Sequence, residues 1–172
     1  TLNELLIVIA LLGALAVGLI GALDPFEQLK KGTDTGTRDL VSQIQTAVIR
    51  YFSINNRMPW CDNLDPPTCA TPDQFDLTET GGFDDAIGRM IAAGELKQEF
   101  RVLSAGRLDE VWVTGDETAG QETFSACYLP LSRSFKADPN TRYDQNGEEV
   151  IDPDACEGHG DTSADVCYWC IQ

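Results

Sequence analysis

The apolar residues of this chain are unevenly placed, and their spacing changes character along it. From Leu5 to Leu23 no side chain is charged. As a helix rising ~1.5 Å per residue, that run reaches about 28 Å, close to the hydrocarbon thickness of a bilayer. From Arg38 to Ile54 the pattern becomes amphipathic. Leu40, Val41, Ile44, Ala47, Val48, Tyr51 and Phe52 recur at three- and four-residue steps, which predicts a helix with one buried face docked on a sheet. Phe83 to Phe100, with Ile87, Met90, Ile91 and Leu96, predicts a short helix interrupted near Gly94. Glu110 to Thr114, Thr123 to Leu131 and Val166 to Ile171 are rich in β-branched, aromatic or cysteine residues between polar turns, and predict strands of a small antiparallel sheet. Helices followed by strands give an α+β fold.

Breakers divide the chain into three parts. Asp24-Pro25 should break or bend the first helix, because proline lacks an amide donor and disfavours helical geometry in the residue before it. Gly13, Gly18, Gly21, Gly32 and Gly36 add weak points. The expected organisation is an apolar helix over 1–23, the remainder of a spine helix over 24–54, and a globular head over 55–172. Within the head, Cys61 to Cys69 encloses Asp65-Pro66-Pro67, a rigid loop that a local disulfide would close.

Charge and cysteine content narrow the setting. A formal net charge of −16 opposes broad attraction to nucleic acid or to anionic lipid, which carry the same sign. No direct nucleic-acid binding is predicted, and the acid excess reads as a solvated, self-repelling surface. The six cysteines, Cys61, Cys69, Cys127, Cys156, Cys167 and Cys170, all follow the apolar run. Their even number suits disulfides in an oxidising compartment; a zinc site would want two close cysteine pairs or several histidines, and His159 is the only histidine. Cys61 and Cys69 are expected to pair from their closeness, with the other four left open. Lys30 and Lys31 follow the apolar run and by themselves point weakly to the cytoplasmic side, but the cysteines place that side outside. The start, Thr1-Leu2-Asn3-Glu4, has no basic residue and is unlike a secretory signal peptide.

Glu4 sits at the edge of the apolar helix, where a carboxylate is costly unless it stays at the interface, near the favourable helix N-terminus, or finds a partner. The segment Thr1-Leu2-Asn3-Glu4-Leu5-Leu6-Ile7-Val8-Ile9-Ala10-Leu11-Leu12-Gly13 resembles the mature N-terminus of type IV pilins and of the pseudopilins of type II secretion. The family motif is phenylalanine-threonine-leucine-x-glutamate-leucine, then an aliphatic run and a glycine; here three residues precede the glutamate where the family has four. Ser42 through Phe52 and the following Asn55-Asn56-Arg57-Met58-Pro59 resemble the second half of the pilin spine and its turn into the head. The likeness is specific over about the first third of the chain and loose beyond it.

This resemblance implies a type IV pilin fold: a long N-terminal helix, half filament core and half scaffold, covered by a small antiparallel sheet and disulfide-pinned loops. It implies cleavage of a leader and N-methylation by a prepilin peptidase, residence in the inner membrane, then assembly by pilus machinery into a homo-oligomeric helical filament at the cell surface. Thr1, Leu2, Glu4, Leu5 and Gly13 would be the assembly residues, with Glu4 neutralising the N-terminal amine of a neighbouring subunit. It also implies a melted stretch in the spine, expected between Gly13 and Pro25.

Other chemistry in the head has blander readings. Cys167-Tyr168-Trp169-Cys170 has the spacing of a thiol oxidoreductase, but no helix follows to lower a thiol pKa, so structural disulfides to two different partners are expected. Asp144-Gln145-Asn146-Gly147-Glu148 alternates side-chain oxygens around a glycine turn, with Asp138 and Asp152 nearby. Calcium at Asp144, Asn146 and Glu148 is one reading; a solvated acidic turn is favoured, because the closing glutamate and flanking helices of an EF-hand are missing. His159 between two glycines has no triad partner in the sequence, and Trp60, Trp112 and Trp169 read as core. No enzymatic activity and no cofactor are expected. The leading function is a structural pilin subunit; the alternatives are a pseudopilin and a non-polymerising, membrane-anchored redox or calcium-binding protein.

Overall fold

The computed structural model describes residues 1–22, 24–61, 69, 75–76, 83–116, 123–151, 156 and 167–172. Leu23, the Asp65-Pro66-Pro67 loop, Asp152, His159 and Val166 lie outside the described residues. Helix α1 (Leu2–Ala22) runs through Gly13, Gly18 and Gly21 without interruption. Helix α2 (Pro25–Asn55) begins thirteen residues before the amphipathic pattern does. Its start is built locally: the Asp24 side chain accepts hydrogen bonds from Phe26 N (3.2 Å) and Glu27 N (3.3 Å), and Pro25 occupies the first turn, where a missing N–H is harmless. Pro25 therefore starts a helix as well as ending one. Residues 25–33 face largely outward, so they carry no apolar stripe, and Gly32 and Gly36 are accommodated as helical. The helix ends at Asn56, left-handed at φ 53°, whose N–H reaches Phe52 O at 2.7 Å.

The head places a five-stranded antiparallel sheet against α2, in the order β1-β2-β3-β5-β4: β1 (Phe75–Asp76), β2 (Val111–Asp116), β3 (Thr123–Tyr128), β4 (Thr141–Tyr143) and β5 (Tyr168–Ile171). Strands β1 and β4 are too short to show a period-two pattern, and neither was expected from the sequence. Strand β3 stops at Tyr128 rather than Leu131, because Pro130 has no amide to donate to a ladder and Leu131 N is committed to α2. Helices α3 (Phe83–Ala92) and α4 (Phe100–Leu103) are separated by a turn containing Gly94 at φ 81°. Helix α5 (Arg133–Lys136) follows β3 and packs on α2.

The core lies between α2, α3 and one sheet face. Val41, Ile44, Val48, Phe83, Ile87, Met90, Val111, Val113 and Ala126 are fully enclosed. Burial of such side chains contributes about 1.5–3 kcal/mol each for Val, Ile, Phe or Met. Trp60 stacks on Phe124 with ring centres 6.2 Å apart, and Trp169 lies 5.4 Å from Tyr128. Both tryptophans are buried, whereas Trp112 is only half-buried.

Candidate assembly helix and the base of the head

Among the described residues helix α1 has no packing partner. Between Leu5 and Leu19 every large apolar side chain is more than half exposed, and the window Leu2–Leu19 has a mean hydropathy of 2.3 with none of it buried. A helix of this length and composition is long enough to cross a membrane. Ala10, Ala14 and Gly18 recur at four-residue steps on one face, and a Cβ added at Gly13, Gly18 or Gly21 would meet nothing. Glu4 is the only ionisable side chain of α1. Its Oε2 lies 2.7 Å from the Thr1 amine, and both groups are largely exposed. Thr1, Leu2, Glu4 and Leu5 are thus together at the solvent-facing start of the helix, Gly13 lies about three turns further along it, and Glu4 pairs with Thr1.

The junction to the head is formed by carboxylates that sequence reasoning passed over. Asp34, buried to 1% exposure on α2, accepts from Leu131 N at 2.9 Å through Oδ1, and from Ser132 N at 2.8 Å and Ser132 Oγ at 2.5 Å through Oδ2. About two turns earlier, Glu27 Oε1 accepts from Arg133 N. Ser132 in turn caps α5, its hydroxyl accepting from Phe135 N at 3.4 Å. Arg38 lies over the Trp169 ring at 5.0 Å and the Phe135 ring at 6.0 Å, with Asp138 Oδ2 4.0 Å away. Asp138, considered with the acidic turn from sequence, therefore belongs to this junction. Burial first, and then the negative charge of Asp34, pushes the Tyr128 hydroxyl well above its ordinary range. The available signal was position: Asp34 and Thr37 continue the face of Val41 and Ile44 backwards by helical steps, but an acid there reads as the end of an apolar stripe.

The Asp144 turn engages its own oxygens. Asp144 Oδ1 accepts from Asn146 N (2.8 Å) and Glu148 N (2.9 Å), and Oδ2 from Asn146 Nδ2 (3.2 Å). Gly147 takes φ 80°, and a Cβ there would collide with the Ser125 side chain. Thr114 Oγ1 donates to Asn146 O at 2.8 Å and Gln172 Nε2 to Gly147 O at 2.6 Å, which seats the turn against the sheet. Asp144 also adds, after burial, to raising the Tyr168 hydroxyl. Asp144, Asn146 and Glu148 are thus together as a turn, and among the described residues no group of three or more His, Cys, Asp or Glu side chains is placed to hold a metal ion.

All six cysteines pair, as Cys61–Cys69, Cys127–Cys170 and Cys156–Cys167. Cys127 and Cys170 stand directly opposite in the β3–β5 ladder. The two cysteines of the Cys167–Cys170 motif go to different partners, so neither thiol is available for exchange within the pair. Arg89 Nη1 donates to Pro59 O at 2.9 Å and also to Cys61 O, holding the chain that enters the first disulfide loop against α3.

An open groove separates α2 from the α3–α4 segment, where Arg107 lies across α2 at Gly36; a Cβ at Gly36 would meet its guanidinium. No protein-family model, no curated protein and no solved structure matches this chain.

Proposed function

We propose that this chain is the structural subunit of a type IV pilus-like extracellular filament, anchored in the inner membrane through α1 and then packed through α1 into the filament core. The observation that carries the reading is α1 itself: a 21-residue apolar helix with no partner among the described residues, followed after a capped break by the helix that scaffolds a disulfide-bonded head. So large an exposed apolar surface requires a lipid or protein environment. In lipid the hydrophobic gain from helix association is small, so close packing along the face of Ala10, Ala14 and Gly18 would select the geometry. Glu4 would select the register. In a dry core its carboxylate costs several kcal/mol unless an amine meets it, so pairing with a neighbour's N-terminal amine would link charge neutralisation to assembly. Prepilin peptidase and pilus assembly machinery are the partners this implies. A pseudopilin would share the architecture and differ in filament length.

Electron microscopy of sheared surface material, with mass spectrometry of its main polypeptide, tests the reading. We expect filaments of this chain with a methylated N-terminus. Glu4→Ala should lower filament yield by more than about tenfold, because a loss above ~1.4 kcal/mol per subunit contact already has that effect, while membrane level and head folding stay unchanged. Absence of filaments, with the chain retained as monomers in the membrane, would reject the proposal in favour of a single-span anchored protein.

A further inference from the structure

We infer that the base of the head is a lipid-binding collar: Lys30, Lys31, Arg133 and Lys136, with Phe26, Leu29 and Leu131, form a surface that seats the membrane-held subunit on anionic phospholipid headgroups. The inference rests on the membrane-embedded α1 of the proposed function and adds a site that the filament reading does not supply.

Position comes first. Lys30 and Lys31 are the first basic side chains of the chain, and from Asp24 to Lys30 the helix rises only about 9 Å, so they stand just beyond the end of the apolar span. Side chains on a helix lean toward its N-terminus, here toward the membrane, and the long lysine stems can reach back to phosphate level. The head adds Arg133 beside the first turn of α2, with half-buried Lys136 on the same short helix. Arg133 is brought there by its own backbone N–H, which donates to Glu27 in the first turn of α2. Lys136, three residues on, shares a side of the α5 turn with it. Burial of the Asp34 carboxylate against Leu131 and Ser132 holds this segment in place.

Composition identifies the occupant. On a chain of net charge −16, four of the twelve basic side chains gather at this base. None of the four is in an ion pair among the described residues, whereas Asp24 and Glu27 are engaged by backbone N–H groups and Asp138 faces Arg38. Apolar side chains are interleaved with them, Phe26 at 74%, Leu29 at 69% and Leu131 at 43% exposure. Cations alternating with large apolar groups beside a membrane span match the interfacial zone of a bilayer, where basic residues meet phosphate and aromatic or aliphatic groups enter the acyl boundary. The rest of the head, being acidic, is repelled by the same surface, so the collar also sets which part of the head approaches the membrane.

The test uses the full chain in phosphatidylcholine vesicles containing a trace of spin-labelled phosphatidylglycerol or spin-labelled phosphatidylcholine. Electron paramagnetic resonance reads how much of each label is slowed at the protein boundary. The expected result is a preference for phosphatidylglycerol of about threefold or more, falling toward parity near 1 M salt, where the Debye length is about 3 Å. The quadruple variant Lys30→Gln, Lys31→Gln, Arg133→Gln and Lys136→Gln should lose the preference while its near-ultraviolet circular dichroism is unchanged, since the Glu27 bond uses the Arg133 backbone. Equal slowing of both lipids by the wild-type chain would overturn the collar and leave the embedded α1 standing. A preference that survives in the variant would also overturn it, and if that variant's filaments fell apart the surface would belong to a second copy. Slowing of neither lipid would overturn the embedding of α1 together with the collar.

Discussion

Asp34 and Ser132, almost a hundred positions apart in the chain, are joined twice: the Ser132 backbone N–H and hydroxyl both donate to one carboxylate oxygen, at 2.8 and 2.5 Å. Through that contact a buried acid of the spine helix holds the segment between β3 and β4, and with it the cap of α5 and the seat of Arg133. The consequence is a head whose base is rigidly referenced to the helix that carries it.

Replacing Asp34 tests this directly. Asp34→Ala leaves the Leu131 and Ser132 amides and the Ser132 hydroxyl without their acceptor, and should destabilise the head by about 3 kcal/mol, with Asp34→Asn retaining part of the loss. Urea unfolding of the full chain in detergent, followed by near-ultraviolet circular dichroism, reads the difference. A change below about 0.5 kcal/mol would show that the contact is not a structural tie.

The disulfides should rank by the loop each closes. Cys127–Cys170 spans 43 positions and Cys61–Cys69 only 8. Chain-entropy reasoning gives about 4 kcal/mol for the former and about 2.5 kcal/mol for the latter. The double variants Cys127→Ala with Cys170→Ala, and Cys61→Ala with Cys69→Ala, should melt in that order, the first well below the second.

Tyr128 makes the head sensitive to alkali. Its hydroxyl ionises far less readily when folded than when exposed, because burial and the charge of Asp34 both oppose the phenolate. The stabilising preference for the neutral phenol is therefore fully present below the ordinary tyrosine value near 10, and is lost as pH climbs from there toward the folded value. Stability should decline above about pH 10, and Tyr128→Phe should flatten that decline. Absorbance titration of tyrosinate checks it: in the native chain Tyr128 should ionise only together with unfolding.

Gly32 offers a gain. It lies in the exposed first third of α2 with nothing within 4 Å of a Cβ, so the residue meets no packing need. Gly32→Ala should stabilise α2 by about 0.5–1 kcal/mol, read as a rise in melting temperature. A loss of stability would reveal a contact at this position that the helix geometry does not contain.

The sequence by itself determined the α+β class, the apolar helix, the amphipathic helix that lines the core and three of the five strands, because each has a period long enough to repeat. It also supplied the even cysteine count and the pairing of Cys61 with Cys69, which need only nearness along the chain. Tertiary structure decided what depends on residues far apart. The four remaining cysteines were sorted by the β3–β5 register, which sets Cys127 opposite Cys170 and leaves Cys167 for Cys156. The oxygens of Asp144, which spacing alone allowed to be ligands, accept from amides of their own turn once Gly147 folds it back. Asp34 lay on the continuation of the apolar face of α2, but as an acid it read as the end of that face. A lone acid on a helix acquires meaning only when folding places distant amides beside it.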